Sequence, residues 1–103
     1  MLTDADGVVR LSPAYDRLCT RLVLPDDQLA LTVGGRRSGL GRADWERFGV
    51  YCELPPRTVE RELQRVVRAL PPALSLIETS PLSADRQSVY AELLRRHTAA
   101  LEK

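Results

Sequence analysis

The chain has 103 residues, fifteen Lys+Arg against fourteen Asp+Glu, and a formal charge of +1. That length allows one domain with a thin core, about 60–65% of the unfolded surface being buried at this size. The charge balance excludes a strongly basic nucleic-acid arm and an acidic tail, and 44% hydrophobic against 28% charged residues argues against wholesale disorder.

The first eleven residues read as a short hairpin. Asp4-Ala5-Asp6-Gly7 carries turn chemistry, and Val8-Val9-Arg10-Leu11 is a β-type run. Ser12-Pro13-Ala14-Tyr15-Asp16 follows as an ordered loop leaving that strand, with Pro13 holding Ser12 extended. Pro25-Asp26-Asp27 is a turn. Leu29-Ala30-Leu31-Thr32-Val33 alternates well enough to predict a strand, and Gly34-Gly35-Arg36-Arg37 closes it as a turn. This glycine-rich stretch has no lysine and no strand-loop-helix context, so a hairpin turn is expected rather than a phosphate-binding loop.

From Asp44 the periodicity becomes helical. Trp45, Phe48 and Cys52 are expected on one apolar face. Pro55-Pro56 ends that helix and starts the next, proline being tolerated in a first turn. Val59, Leu63, Val66, Val67, Leu70, Leu74 and Ile77 continue at spacings of three and four through Pro71-Pro72, which predicts a long helix kinked or broken there. Ser83 is placed to cap a last helix, helped by Asp85, with Val89, Tyr90, Leu93, Leu94, His97 and Leu101 as its apolar stripe. The fold class is therefore mainly α in a single domain, 1–103. A short N-terminal β-hairpin and loop portion (1–41) is followed by three or four helices (42–103).

Several residues carry little chemistry by themselves. Cys19 and Cys52 are too isolated for a disulfide framework or a zinc site and read as reduced, partly buried thiols. His97 has no second ligand spaced to help it and reads as a packed or half-exposed helix residue. Fourteen of the fifteen basic residues are arginine, Lys103 being the exception, so no internal lysine can anchor a phosphate or form a Schiff base. Arg57, Arg61, Arg65 and Arg68 share one helix face. They read as a solvated face partly neutralised by Glu60 and Glu62, with a phosphate-contacting ridge as the functional alternative. No run approaches the ~18–20 apolar residues of a membrane helix, and the N-terminus lacks a signal-peptide pattern, so a cytoplasmic chain with no membrane partner is expected.

The loop aspartate, Asp16, sits just past a strand in a proline-stiffened loop, which suits a carboxylate held for a metal-bound phosphate. Pro13-Ala14-Tyr15-Asp16-Arg17-Leu18-Cys19-Thr20 resembles the PAYDLLxT segment of HipA-like serine/threonine kinases, the toxins of toxin–antitoxin pairs. Asp26 to Gly35 resembles the family's stretch ending in Leu-Ala-Leu and Gly-Gly. Arg42-Ala43-Asp44-Trp45 resembles its helix start, and Leu54-Pro55 with the long helix after it resembles the family's C-terminal helices. Gly41, where a capping Thr is common, and Glu53, where glycine often ends the helix, depart from the pattern.

The resemblance implies the C-terminal helical part of a protein-kinase-like C-lobe, with Asp16 as the Mg²⁺-binding, ATP-associated residue. It also implies that the glycine-rich loop, lysine and catalytic aspartate of a kinase lie in a preceding portion. The chain is then a C-terminal portion of an ATP-dependent protein kinase toxin, inactive alone. Its expected partners are that N-terminal kinase portion and a HipB-like helix-turn-helix antitoxin, with nucleic acid met only through the antitoxin. An exposed apolar surface is expected where the remainder would pack. The alternative is a stand-alone helical interaction module, or one half of a split kinase completed in trans.

Overall fold

A computed structural model describes residues 2–3, 5, 7–15 and 17–102. Strands β1 (Leu2–Thr3) and β2 (Val9–Arg10) pair antiparallel, Leu2 opposite Arg10 and Thr3 opposite Val9. Gly7 lies at φ +82° between them, a conformation a side chain would disfavour. A 3-10 turn at Thr20–Leu22 follows, then helices α1 (Arg42–Tyr51), α2 (Pro56–Arg68), α3 (Leu70–Glu78) and α4 (Ala84–Leu101). The fold is mainly helical, as the periodicity predicts.

The expected strand over Leu29–Val33 is not formed. Only Val33 pairs, with Arg36, through Val33 N–H to Arg36 O at 2.8 Å and Arg36 N–H to Val33 O at 3.1 Å. Gly34 (φ +58°) and Gly35 (φ +81°) make the two-residue turn, both left-handed as this type of hairpin requires. Leu29 adds one bond to Arg37 O, and then the pairing stops. The alternation of apolar residues is present, but Leu31 stays exposed, so no buried face rewards a longer ladder.

Each helix boundary has an identifiable cause. Proline at the start of α2 needs no N–H partner. Pro71 and Pro72 remove the two donors that would continue α2, so the helix breaks at Ala69, whose N–H is shared between the Arg65 and Val66 carbonyls at 3.1 Å. The two prolines then occupy the first turn of α3. Ser83 caps α4, its hydroxyl accepting from Arg86 N–H at 3.3 Å.

The end of α1 is a Schellman turn: Leu54 N–H reaches Gly49 O at 2.9 Å and Glu53 N–H reaches Val50 O at 3.0 Å. Its left-handed residue is Glu53, at φ +60°. A non-glycine residue pays about 1–2 kcal/mol for that conformation. Glu53→Gly is therefore expected to stabilise the chain by about 1 kcal/mol and raise the melting midpoint by roughly 4–8 °C. Thermal unfolding followed by circular dichroism checks this.

The core lies where α2 and α3 pack on α4. Ile77 on α3 and Leu93 on α4 are the buried apolar residues among those described. On α4 the inward ladder differs from the expected one. Thr98 is buried, whereas His97 and Val89 are exposed. The α1 face also differs, because Cys52 is exposed and Phe48 only partly covered, while Asp44 and Gly49 are buried. Gly49 is where α1 meets α2: a Cβ there would stand 2.4 Å from Val59 Cγ2.

The molecule is open for its length. Its radius of gyration is 16.2 Å, against about 13 Å for a compact chain of 100 residues. Its accessible surface is 8415 Å², against about 5,800 Å² for a compact monomer of this mass.

Candidate functional site

Asp16 lies outside the described residues. Pro13, Ala14, Tyr15, Arg17 and Leu18 are all exposed, Tyr15 at 69% and Leu18 at 82%. Cys19 and Leu22 are half-buried where the 3-10 turn meets α4, and Arg21 Nε donates to Asp27 O at 2.9 Å. Tyr90 on α4 lies against Cys19, and burial followed by that sulfur pushes its phenol pKa up. Both cysteines are free thiols, as expected, though Cys52 is exposed rather than partly buried. Among the described residues no group of three or more His, Cys, Asp or Glu side chains gathers to hold a metal ion.

Between Leu11 and Leu31 several apolar side chains stand exposed among polar ones. Leu11, Leu18 and Leu31 are each more than 80% exposed, with Tyr15, Val23 and Leu24 exposed beside them.

A second arrangement joins the glycine turn to α1. Asp44, only 4% exposed, accepts from Gly41 N–H at 2.9 Å, from Arg47 Nη2 at 2.8 Å and from Arg36 Nη1 at 3.3 Å. Asp44 is the third helical residue of α1, so its carboxylate reaches back to the first exposed backbone donor of the helix. The Gly41 amide, then the two guanidinium groups, hold its pKa below the ordinary carboxylate value despite burial. A lowered folded pKa contributes stability above about pH 3.8, lost as the pH falls through the folded value. Asp44→Asn is expected to destabilise the chain at pH 6 and to flatten its acid unfolding below pH ~3.8. Denaturant titrations of both proteins across that range check it.

Between this turn and the helices lies a cleft of about 520 Å³, its wall including Leu29, Leu40, Trp45, Leu63, His97 and Leu101. Partial burial in this wall, then Arg21 and Arg96, push the His97 pKa down from its ordinary value. The rim carries Arg21 and Arg37 together with Asp27 and Glu62, giving no net charge preference.

The arginine face of α2 is real and solvent-facing: Arg57, Arg61, Arg65 and Arg68 are all exposed. Glu62 bridges Arg65 at 3.0 Å and Arg61 at 3.4 Å. Glu60 points the other way and pairs with Arg42 of α1. The sequence places the four arginines on one face with Glu62 beside them, and the structure bears this out. Sequence reasoning missed the buried role of Asp44, for which the spacing from Gly41 to the third helical position is a readable signal.

No family model matches the chain, and no curated protein and no solved structure matches it. No helix among the described residues is long and apolar enough to cross a membrane.

Proposed function

We propose that this chain is the C-terminal helical portion of a HipA-like protein serine/threonine kinase toxin, acting in the cytoplasm as part of a toxin–antitoxin pair. In the assembled enzyme Asp16 holds the Mg²⁺ of the nucleotide, and the phosphate-covering loop, the lysine and the acceptor-orienting aspartate come from a preceding kinase portion. A HipB-like antitoxin is the expected regulatory partner. Mg²⁺ with ATP supplies the phosphoryl group, and this chain's share is one carboxylate on a stiffened loop and the helices that support it.

The reading is supported by the Pro13-Ala14-Tyr15-Asp16 segment and its downstream counterparts. The observation that carries it is the set of exposed apolar side chains Leu11, Tyr15, Leu18, Val23, Leu24 and Leu31, beside a small helical core. A surface of that kind suits a segment that packs under another part of a larger enzyme. The test is calorimetric titration of the chain with Mg·ATP. No saturable heat is expected from the chain alone, because one carboxylate cannot position a nucleotide. Saturable binding with a micromolar Kd would overturn the assignment of an incomplete site.

A further inference from the structure

We propose that the cleft between the glycine turn and the helices is a binding site for a free α-amino acid with a large apolar side chain. At about 520 Å³ it has the volume of a small-molecule site. Trp45 of α1, Leu63 and Val66 of α2, Leu101 of α4, and Leu29 and Leu40 of the loop segment make its wall largely apolar. The Trp45 ring stands edge to face with Phe48, centroids 6.1 Å apart, so that part of the wall is preset. Hydrogen bonds fix the loop side at both ends. Arg21 Nε binds the Asp27 carbonyl at one end, and Asp44 accepts from Gly41 N–H and Arg36 at the other. Between them, Leu29 N–H to Arg37 O at 3.0 Å ties the two arms of the loop together. The opening is therefore built into the fold, which lowers the ordering cost of filling it.

The polar groups on the rim select the charge pattern of the ligand. Glu62 is turned to Arg61 and Arg65, and Arg21 is bound to the Asp27 carbonyl. The Asp27 carboxylate and the Arg37 guanidinium remain. Neither has an ion pair among the described residues, with the other or with a third group. The bond between Leu29 and Arg37 brings both to the same end of the cleft, Asp27 being two residues before Leu29. A purely apolar ligand would cover two opposite charges without a partner for either. A simple anion would answer Arg37 but face Asp27, and a simple cation would do the reverse. A zwitterion answers both: its carboxylate accepts from Arg37, its ammonium donates to Asp27, and its side chain lies on the apolar wall. None of the exposed side chains Leu11, Tyr15, Leu18, Val23, Leu24 and Leu31 lines this cleft, so an occupied cleft neither requires nor precludes a kinase portion over those residues.

Trp45 is the chain's single tryptophan, so its fluorescence reports directly on the cleft. The experiment titrates the chain with L-phenylalanine and follows that signal, with glycine, phenylalanine amide and N-acetylphenylalanine as comparison ligands. Phenylalanine is expected to saturate with a Kd below about 1 mM. Glycine gives no change, and each analogue lacking one charge binds at least about tenfold more weakly. Arg37→Gln and Asp27→Asn each weaken phenylalanine by a similar factor. In Arg37→Gln the amide then binds no worse than phenylalanine, and in Asp27→Asn the N-acetyl compound does likewise, because the group removed has lost its partner. Arg37 is exposed and the Asp27 carboxylate has no hydrogen bond among the described residues, so both variants are expected to keep the helical circular dichroism signal. Absence of saturation up to about 10 mM phenylalanine would overturn the proposal. Equal binding of the three phenylalanine compounds, or variants that bind as the parent does, would overturn it too, leaving the cleft an apolar socket without charge recognition.

Discussion

Ile77→Ala is expected to remove most of the cooperativity of unfolding. Truncating a buried isoleucine costs about 2–5 kcal/mol in an ordinary core. Here Ile77 is 7% exposed on α3, which packs on α4, and Leu93 of α4 is the other buried apolar side chain among the described residues. The accessible surface of 8415 Å² means the chain buries only about half of what its unfolded form exposes, against about 65% for a compact protein of this size. Stability is then at or below the lower end of the usual 5–15 kcal/mol. Urea unfolding of the variant should lose its sharp midpoint, while local helix persists in part, because proline starts, the Ser83 cap and backbone bonding remain. A midpoint shift worth less than ~1 kcal/mol would show that the core lies elsewhere.

Gly49→Ala is the second large expected effect, and its sign is the informative part. In an exposed helix the substitution stabilises by up to about 1 kcal/mol, because alanine loses less entropy on folding. At Gly49 the added methyl would stand 2.4 Å from Val59 Cγ2 and 3.5 Å from its Cβ. Valine is stiff at χ1 and cannot swing away cheaply, so α1 must shift from α2. Overpacking of this kind costs typically 1–3 kcal/mol. The expected result is a destabilisation of that order, partly relieved when Val59→Ala is added. The double-mutant cycle should show a coupling of about 1 kcal/mol or more. A stabilised single variant, or additive effects, would show that the two helices do not touch there.

These sites also show what could be read in advance. The helix punctuation was legible because its causes are local: Pro55-Pro56, Pro71-Pro72 and Ser83 act on their own turns. Gly34-Gly35 was legible for the same reason. The strand expected at Leu29–Val33 failed because alternation says nothing about whether a partner strand exists. His97 and Thr98 are adjacent, and both lie near the apolar stripe of α4. Only the packing of α3 and the 3-10 turn decides which one turns inward. Glu53 was noticed as a departure from a glycine position, and the structure shows the left-handed backbone that makes the departure costly. Gly49 gave no signal, because a glycine in a helix does not reveal the valine pressed against it. Asp44 was read only as part of a helix start, since its partner Arg36 lies across a turn whose path the sequence did not specify. Of the candidate residues, Asp16 comes from its proline-stiffened loop and from the resemblance, and it lies outside the described residues. The arginine stripe comes from spacing, and what the structure adds is that Glu60 is engaged by α1 and does not neutralise it.

The proposed reading makes this chain one portion of a kinase whose other portion would cover the exposed apolar side chains between Leu11 and Leu31. The direct measurement mixes the chain with the N-terminal portion of a HipA-like kinase that ends just past its catalytic loop, and follows transfer of the γ-phosphate of ATP to protein in the presence of Mg²⁺. The account predicts transfer by the mixture and by neither part alone. Asp16→Asn is expected to abolish that transfer while the two parts still co-elute. Transfer that survives Asp16→Asn, or two parts that neither associate nor transfer phosphate, would contradict it.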